Sequence, residues 1–353
     1  MASSWSCSER AEVSPLKILI LHYRGPADPR DPVVDQVQAA LLAGGHEIHT
    51  APIYQDAAEI ITVVRKHKAD LVFNLCETFD EDPKLEANVA ALYELLGQPF
   101  TGSGPVGLML AQDKVLTKKL ITAYGVHAPS YAVFYEDRVE VGGGPTRFPL
   151  LVKPSSLDAS LGIHRSSVVH DWDSLRERVR YVQKELFDAA LVEEFIDGRE
   201  FYVGVIGNST PVALPVLEMS FTGYEKGEHK ILTSDAKWEK ETEDFKRTKV
   251  VRPRRLSPAL EASVQLVAVQ AFRACQLRDY GRVDMRVRRG KPFVLEVNPN
   301  PYLASDAELA TAALARGQSY DALVAQLVEL AAARYRTEPR QVEPPPAPPS
   351  PES

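Results

Sequence analysis

The chain has 353 residues, of which 44% are hydrophobic and 25% are charged. This length suggests two or three globular domains, with ample material for a hydrophobic core. The formal net charge of −7 argues against nucleic acid or an anionic membrane as the partner, although a local cationic pocket could still hold an anionic cofactor.

The sequence contains no signal that directs it to a membrane or an oxidising compartment. The longest apolar runs, such as LKILIL at Leu16–Leu21, are too short to span a bilayer, and the first residues lack the apolar core of a secretory signal. The three widely spaced cysteines are typical of reduced thiols. We therefore expect a soluble, cytoplasmic protein with a disordered leader at 1–14 and a disordered, proline-rich tail at 337–353.

Residues 15–105 are predicted to form an N-terminal α/β domain. Buried apolar runs alternate with amphipathic stretches that end at glycine, a pattern that indicates a small parallel sheet with covering helices. The predicted strands are Leu16–His22 and Leu71–Leu75, and the predicted helices are Val33–Leu42 and Leu85–Leu96.

Residues 106–196 are predicted to form a central subdomain. Lys153 lies near the end of an apolar strand, and a loop of small residues that includes Ser160 follows it. Such a strand end can bind phosphates through backbone N–H groups and the lysine charge, but many ordinary strands also end in Lys-Pro. Lys114 likewise fits either a phosphate ligand or a solvated helix lysine. The predicted helices are Asp113–Tyr124 and Trp172–Leu186, and the predicted strands are Phe148–Ser155 and Ala190–Ile196.

Residues 197–336 are predicted to form a C-terminal subdomain. A long polar segment, Phe221–Arg255, interrupts its strands and fits either a lid over a site or a plain surface insertion. The predicted strands are Arg199–Gly207, Val212–Ser220, Gly281–Val287 and Phe293–Val297, and the predicted helices are Pro258–Gln276 and Tyr320–Arg334.

The last two of these strands carry acidic residues at alternating positions. Period-two alternation places Asp284 on the polar face of one strand and Glu296 on the polar face of the next, and Asn298 continues that face. Two carboxylates and an amide oxygen suit Mg²⁺ that also binds substrate phosphates. The alternative is a solvated sheet face with surface ion pairs, such as Arg282 with Glu296.

Six segments, taken in order, make the chain resemble the D-alanine–D-alanine ligase branch of the ATP-grasp superfamily. The resemblance covers residues 71–330 and depends on the order and separation of the segments rather than on any one of them. It implies a mixed α/β (α+β), three-domain ATP-grasp fold, with a small parallel N-terminal sheet and with ATP between the central and C-terminal domains. The segments are PFTGSGPVGLMLAQDK (Pro99–Lys114), LVKPSSLDASLG (Leu151–Gly162), LVEEFIDGREF (Leu191–Phe201), DAKW (Asp235–Trp238), GRVDMRV (Gly281–Val287) and LEVNPNP (Leu295–Pro301).

The resemblance also implies roles for single residues. In the nucleotide site it implies phosphate contacts for Lys114, Lys153 and the Ser160 loop, adenine contacts for Glu193, Phe195 and Ile196, and ribose contacts for Glu200. Lys237 would reach the γ-phosphate, and Arg282 would stabilise charge on the reacting carboxylate. Asp284, Glu296 and Asn298 would hold two Mg²⁺ ions, for which Mn²⁺ could substitute. Two copies of the chain would form a homodimer.

The chain departs from the family pattern where substrates bind. The first loop lacks the glutamate that anchors the first amino group in the family and offers Arg24 among its charged residues. Tyr302 stands in place of a glycine at the oxyanion site, and Trp238 replaces a lid tyrosine. Ala307 replaces the serine that recognises the carboxylate of the second substrate, and the loss of such a hydrogen bond to a charged group costs about 1.5–3 kcal/mol.

Three functions remain open at this point. The favoured one is an ATP-dependent carboxylate–amine ligase of altered specificity, which joins an amino acid or peptide to an amine through an acyl phosphate. The second is an authentic D-alanine–D-alanine ligase of cell-wall synthesis with unusual contacts. The third is a nucleotide-binding module without ligase activity, a hypothesis supported by Asp158 and Ala159, which stand where glycine and serine are usual.

Overall fold

The computed structural model describes residues 14–337, except residues 26, 143, 145–146, 158–159, 226 and 240. The side chains of Asp235, Trp238 and Thr337 also lie outside the description. The predictions of a leader and of a proline-rich tail, and the departure at Asp158 and Ala159, therefore fall outside the described residues.

The first part of the chain forms a three-stranded parallel sheet in the order β2-β1-β3, as predicted. β2 and α2 were not predicted, because β2 mixes exposed and buried positions without alternation and α2 is rich in β-branched residues that also suit strands. The elements are β1 (Lys17–Tyr23), α1 (Pro32–Ala43), β2 (Glu47–Ile53), α2 (Ala57–His67), β3 (Leu71–Leu75) and α3 (Glu86–Leu96).

The central part forms a five-stranded antiparallel sheet in the order β5-β4-β8-β6-β7. β6 and β8 are the two strands that the sequence predicts on either side of α6, and they pair directly. The elements are α4 (Pro105–Gln112), α5 (Lys114–Ala123), β4 (Tyr131–Phe134), β5 (Val139–Gly142), β6 (Leu150–Pro154), β7 (Val168–Val169), α6 (Trp172–Glu185) and β8 (Ala190–Glu194).

The third part forms an antiparallel sheet in the order β12-β11-β9-β13-β14, with β10 paired to β9. The elements are β9 (Arg199–Ile206), β10 (Val212–Ala213), β11 (Leu217–Phe221), α7 (Ser234–Trp238), α8 (Glu243–Arg247), β12 (Thr248–Val251), α9 (Pro258–Ala274), β13 (Tyr280–Arg288), β14 (Lys291–Asn298), α10 (Glu308–Ala315) and α11 (Tyr320–Thr337).

Two predictions about this third part were wrong in detail. The single strand predicted at Val212–Ser220 is two strands, because Pro215 lies between them and cannot donate a ladder hydrogen bond. The polar segment Phe221–Arg255 is not wholly an insertion, because its end forms β12, which pairs with β11 at the sheet edge. Among the described residues of this segment, those between 222 and 247 and those from 252 to 255 lie outside the sheet.

Two hydrophobic cores fix the third sheet in place. On one face α9 packs with Val264, Ala268 and Phe272 against the strands. On the other side α11 and α10 belong to the same core as β1 and α1, so that Leu327 and Ile18 share one cluster. The C-terminal helix therefore joins the first and third parts of the molecule, and the described helices leave the space between the second and third sheets open for a site.

Candidate active site between the central and third sheets

A cavity of about 1000 Å³ lies between the central and third sheets. Its walls include side chains of β6, β8, β9, β13 and β14, together with residues from the first part of the chain, such as Asp31 and Glu77. A smaller recess lined by Lys114, Lys153, Ser160 and Glu296 shares the last three of these residues with the cavity. The fold therefore brings residues from three distant parts of the sequence to one enclosed space.

The acidic residues of β13 and β14 lie side by side, as the alternation predicts. Asp284 is the direct cross-strand neighbour of Glu296, and Arg282 is the neighbour of Asn298. The surface pair of Arg282 with Glu296 does not form; instead Nε and Nη2 of Arg282 donate to the two oxygens of Asp284 at 2.7 and 2.8 Å. This face of the sheet lines the cavity, so the reading of a solvated surface was wrong.

The cavity environment separates the protonation of the two carboxylates. Burial raises the pKa of Asp284 despite the neighbouring Arg282, and the charge of Glu296 adds to the rise. Burial also acts to raise the pKa of Glu296, but Lys114, Lys153 and Arg282 outweigh it and lower that pKa. The nearest of these cations is Lys114, whose Nζ lies 3.8 Å from Oε1 of Glu296.

These residues fit a hard divalent cation. Within the described ranges no group of three or more His, Cys, Asp and Glu side chains is placed to hold a metal. Two carboxylates and the amide of Asn298 are nevertheless the oxygen donors that Mg²⁺ takes when substrate phosphates supply the remaining ligands. Mg²⁺ bound there would supply charge neutralisation for phosphoryl transfer.

A buried charge cluster lies at the other end of the recess. Glu193 on β8 is almost fully buried; its Oε1 contacts Nζ of Lys118, and its Oε2 lies 2.8 Å from Nζ of Lys153. Burial lowers the pKa of Lys118 and would raise that of Glu193, but the two lysines outweigh burial and lower the pKa of Glu193. Both oxygens of the predicted adenine ligand are thus ion-paired within the protein.

Lys118 was missed by the sequence reasoning, although a signal existed. It follows Lys114 by four residues on α5, and residues at this spacing lie on the same face of a helix. Two lysines on the buried face of an amphipathic helix indicate an acidic partner inside the protein.

Arg286 was also missed. It is buried on β13, donates through Nε to Oε2 of Glu200 at 2.9 Å and through Nη1 to the carbonyl of Ile196 at 3.0 Å, and lies over the ring of Phe195. The signal in the sequence was strand alternation, because Arg282, Asp284 and Arg286 are two residues apart and therefore lie on the same face of β13. Arg286 therefore contacts three of the four residues predicted to surround the adenine and ribose, and Glu200 also accepts from the hydroxyl of Tyr202.

The remaining predicted phosphate ligands lie at the cavity. Lys237 on α7 and Ser160 both line its wall. Ser160 adopts a positive φ of 62°, a conformation that is uncommon for a residue other than glycine and that turns the loop after β6. Lys114 contributes from α5, with Nζ donating to the carbonyl of Leu157 in the same loop at 2.8 Å. Ser160, Lys114 and Lys153 thus line one recess.

The residues predicted to contact the substrate differ in whether they reach the cavity. Tyr302 lines the cavity, and its hydroxyl donates to Oδ1 of Asp31 at 2.5 Å. Arg24 is not among the lining residues; its guanidinium donates to the carbonyl of Asp28 within its own loop. From that loop it is Asp31, the N-cap of α1, that reaches the cavity. The side chain of Trp238 lies outside the described part of the chain.

In the described part of the chain, no helix combines the length and the apolar character needed to cross a bilayer. All of the site residues named above belong to the three sheets, their helices and their connecting loops.

Comparison with known proteins shows which family the chain resembles. The family model described as the C-terminal part of D-alanine–D-alanine ligase matches residues 121–329. A D-alanine–D-alanine ligase from Bordetella petrii is 31% identical over 309 residues, which are 85% of this chain and 87% of that protein. A protein of Sinorhizobium fredii described as uncharacterized, y4sG, is 35% identical over 317 residues, 87% of this chain and 89% of its own length.

Solved structures show the same fold. The D-alanine–D-alanine ligase of Bacillus anthracis in complex with ATP superposes with a TM-score of 0.69 at 21% identity, covering 91% of this chain and 98% of that one. The VanG D-Ala:D-Ser ligase of Enterococcus faecalis gives a TM-score of 0.67 at 20% identity, covering 89% of this chain and 99% of that one. The chain belongs to the D-alanine–D-alanine ligase family of ADP-forming ATP-grasp ligases, which make C–N bonds.

Proposed function

We propose that this protein joins a carboxylate substrate to an amine at the expense of ATP, through an acyl-phosphate intermediate, and that its substrates differ from those of its named relatives. The observation that carries the proposal is the charge arrangement of one cavity. Lys114, Lys153 and Lys237 act on Glu296 at one cavity of about 1000 Å³, and Arg282 pairs with the neighbouring Asp284. Such a set of charges suits a polyphosphate bound together with divalent metal ions.

The nucleotide would lie along the wall between β6 and β9. Lys114, Lys153 and the loop with Ser160 would hold the phosphates, and the backbone at Phe195 and Ile196 would hold the adenine. Arg286 supports this assignment, because it donates both to Glu200, the proposed ribose ligand, and to the carbonyl of Ile196 beside the proposed adenine position. Two Mg²⁺ ions would be held by Asp284, Glu296 and Asn298.

The ion pairs of Glu193 refine its predicted role. Because its oxygens contact Lys118 and Lys153, Glu193 orients Lys153 toward the phosphates in addition to meeting the adenine amino group. A lysine held by a buried carboxylate loses less conformational freedom when it binds a phosphate, which favours binding.

The chemistry requires a carboxylate to become an electrophile. Lys237 would contact the γ-phosphoryl group as it moves to a carboxylate oxygen of the first substrate, and Arg282 would stabilise the negative charge on that group. The amine nitrogen then attacks the carbonyl carbon and phosphate leaves. The segment from residue 222 to residue 247 would close the cavity so that water does not reach the acyl phosphate.

The relatives named D-alanine–D-alanine ligase favour a second candidate, which is that reaction itself. The substrate end of the cavity argues against it. Ala307 offers no hydroxyl to a substrate carboxylate, and the adjacent Glu308 adds a negative charge to the cavity wall. Formation of the dipeptide from D-alanine and ATP at millimolar D-alanine would support this second candidate; its absence would exclude it.

The proposal is tested by ADP release in a panel of carboxylate and amine pairs, followed by mass analysis of the product. We expect ADP, phosphate and one amide product in equal amounts. Glu296→Gln keeps the size of the side chain but removes a metal-binding charge, and we expect it to lower turnover by about a hundredfold or more. Glu329→Gln, on the exposed face of α11, is the matched control and should leave turnover unchanged.

Two outcomes would contradict the proposal. If Glu296→Gln turned over ATP like the parent, the metal assignment would be wrong. If Mg²⁺ and ATP bound tightly but no pair released ADP, the protein would be a nucleotide-binding module instead. A cytoplasmic location and a homodimer are part of the same proposal; sedimentation of the purified chain tests the dimer.

A further inference from the structure

Arg282 is held by two carboxylates of the protein itself. One edge of its guanidinium makes the bidentate contact with Asp284, and Nη1 lies 3.2 Å from Oε2 of Glu308. Its side chain is only 11% exposed. A guanidinium offers five N–H donors in a rigid fork, and here two edges of the fork are directed at protein carboxylates. Arg282 therefore faces the cavity with its charge already balanced.

Glu308 lies where a substrate carboxylate would find its best contacts. It is the first residue of α10, whose N-cap residue Ala307 makes no side-chain capping bond. A helix N-terminus and a guanidinium are two features that attract a carboxylate. In this chain the carboxylate of Glu308 lies at both the N-terminus of α10 and the guanidinium of Arg282, and Glu308 lines the cavity. A substrate carboxylate that approached Arg282 would therefore meet a like charge.

The wall around Glu308 is acidic as well. Asp31 is fixed by the Tyr302 hydroxyl on the same wall, and Glu77 is open to the cavity. The surrounding protein and the charge of Asp31 raise the pKa of Glu77, against the opposing effect of Lys237. A cation between these groups would remove their mutual repulsion. Asp31, Glu77 and Asp306 line the cavity around Tyr302, and Glu81, Glu86 and Glu308 belong to the lining of the same cavity.

The end of the cavity near Tyr302 and Glu308 is thus rich in carboxylates. Lys114 and Lys153 line the recess assigned to the nucleotide phosphates, whereas Asp31, Glu77 and Asp306 lie around Tyr302, with Lys237 as a neighbouring cation. In a partly enclosed space this separation attracts a cationic group to the acidic end and repels an anionic one. An acceptor amino acid, which carries a carboxylate beside its amine, fits this end poorly.

We infer that Glu308 determines the acceptor, which is a diamine or polyamine without a carboxylate beside the reacting nitrogen. The inference rests on the proposed ligase function. The reacting nitrogen attacks the carbonyl carbon of the acyl phosphate, the C–N bond forms, and the C–O bond to phosphate breaks. Of the two protons that the ammonium group loses, one remains on the released phosphate and the other goes to solvent. The second cationic group of the acceptor stays among the carboxylates.

Calorimetric titration in the presence of Mg²⁺ and a non-hydrolysable ATP analogue tests this inference without requiring turnover. The probes are 1,4-diaminobutane, ethylamine and D-alanine; the last two differ chiefly in the carboxylate. We expect 1,4-diaminobutane to bind about tenfold or more tightly than D-alanine, with ethylamine between them. If D-alanine bound as tightly as the diamine or more tightly, the inference would be overturned.

Variants separate a specific role of Glu308 from a structural one. Glu308→Gln should weaken 1,4-diaminobutane about tenfold and strengthen D-alanine, while the ATP analogue binds as in the parent. Glu308→Asp should keep the preference for the diamine, and the distant Glu329→Gln should change nothing. An unchanged preference in Glu308→Gln would overturn the inference. Failure of the parent to bind the ATP analogue would instead overturn the proposed ligase function.

Discussion

Lys118, Glu193 and Lys153 form a small charge cluster that is almost closed to solvent. The side chains of Lys118 and Glu193 are each 1% exposed, so neither charge can be stabilised by water. When one partner of a buried pair is removed, the other charge remains buried without compensation, and the cost is several kcal/mol. The cluster therefore supports the fold as well as the phosphate-binding wall.

Lys118→Met should lower the free energy of unfolding by about 1–3 kcal/mol, because Oε1 of Glu193 loses its buried partner while Lys153 still pairs with Oε2. The chain offers a matched control in the next residue, because Lys119 is 51% exposed and pairs with Glu140 at the surface. Lys119→Met should leave the urea midpoint almost unchanged, since exposed pairs contribute little. Urea denaturation followed by fluorescence measures both variants. Equal midpoints for the two variants would show that the buried cluster is not stabilising.

Single site residues were predictable where the alternation of polar and apolar residues along a strand revealed them. Alternation was enough to bring Asp284 beside Glu296, because the register of paired strands follows from their apolar faces. It was not enough to predict that Arg282 pairs with Asp284 rather than with Glu296, because that choice depends on which face of the sheet lines the cavity. Arg286 followed the same alternation and could have been found with it.

At the level of whole elements, the stretch from residue 222 to residue 247 is joined to the central part of the chain through Arg165. The guanidinium of Arg165 lies 2.9 Å from Oε1 of Glu228 and 2.5 Å from Oδ1 of Asp244. Arg247 also lies 2.7 Å from Oε2 of Glu228. These pairs are near solvent, so each is weak alone, but together they hold the segment over the cavity.

In the Arg165→Ala variant this segment should open more often than in the parent. We expect chymotrypsin to cleave at Tyr224 and Phe245 about threefold faster than in the parent, because exposed ion pairs are worth only a factor of a few. Arg176→Ala removes a comparable exposed pair with Asp173 on α6 and serves as the control. If both variants were cleaved at the parent's rate, the pairs of Arg165 would not close the segment.

Helices and strands with a clear hydrophobic pattern in the sequence were predicted well, and those without such a pattern were not. β3 was predicted to the residue, since all five of its positions are buried. α10 was missed because ELATAALA follows two prolines closely and is short, so its pattern covers barely two turns. That omission had a consequence for the site, because α10 carries Glu308 and the sequence alone does not show that its first turn faces Arg282.

Across the whole molecule, a buried ion pair joins the last helix to the start of β13, and both of its residues bond to the backbone of the first part of the chain. Both oxygens of Asp279, which is fully buried, accept from Arg334 at 2.7 to 2.9 Å, and one also accepts from the backbone N–H of Gly102. Arg334 also donates to the carbonyl of Phe100 at 2.8 Å. The parts that supply the acidic end of the cavity and its sheet wall are therefore held together.

Arg334→Met should lower the free energy of unfolding by about 3 kcal/mol, because Asp279 would remain buried without its cation. Arg336→Met lies two residues further along α11 at an exposed position and is the control, for which we expect no measurable change. Thermal unfolding monitored by circular dichroism compares the two. A control as unstable as Arg334→Met would mean that α11 is sensitive to any substitution and that the pair has no special role.

The central claim is that a carboxylate is activated by phosphorylation before an amine attacks it. The most direct measurement uses the carboxylate substrate found in the panel, labelled with oxygen-18 in both carboxylate oxygens, together with its amine partner. Attack on an acyl phosphate leaves one carboxylate oxygen on the phosphate, so we predict one labelled oxygen in each phosphate released per amide formed. Amide formation with unlabelled phosphate would contradict the mechanism.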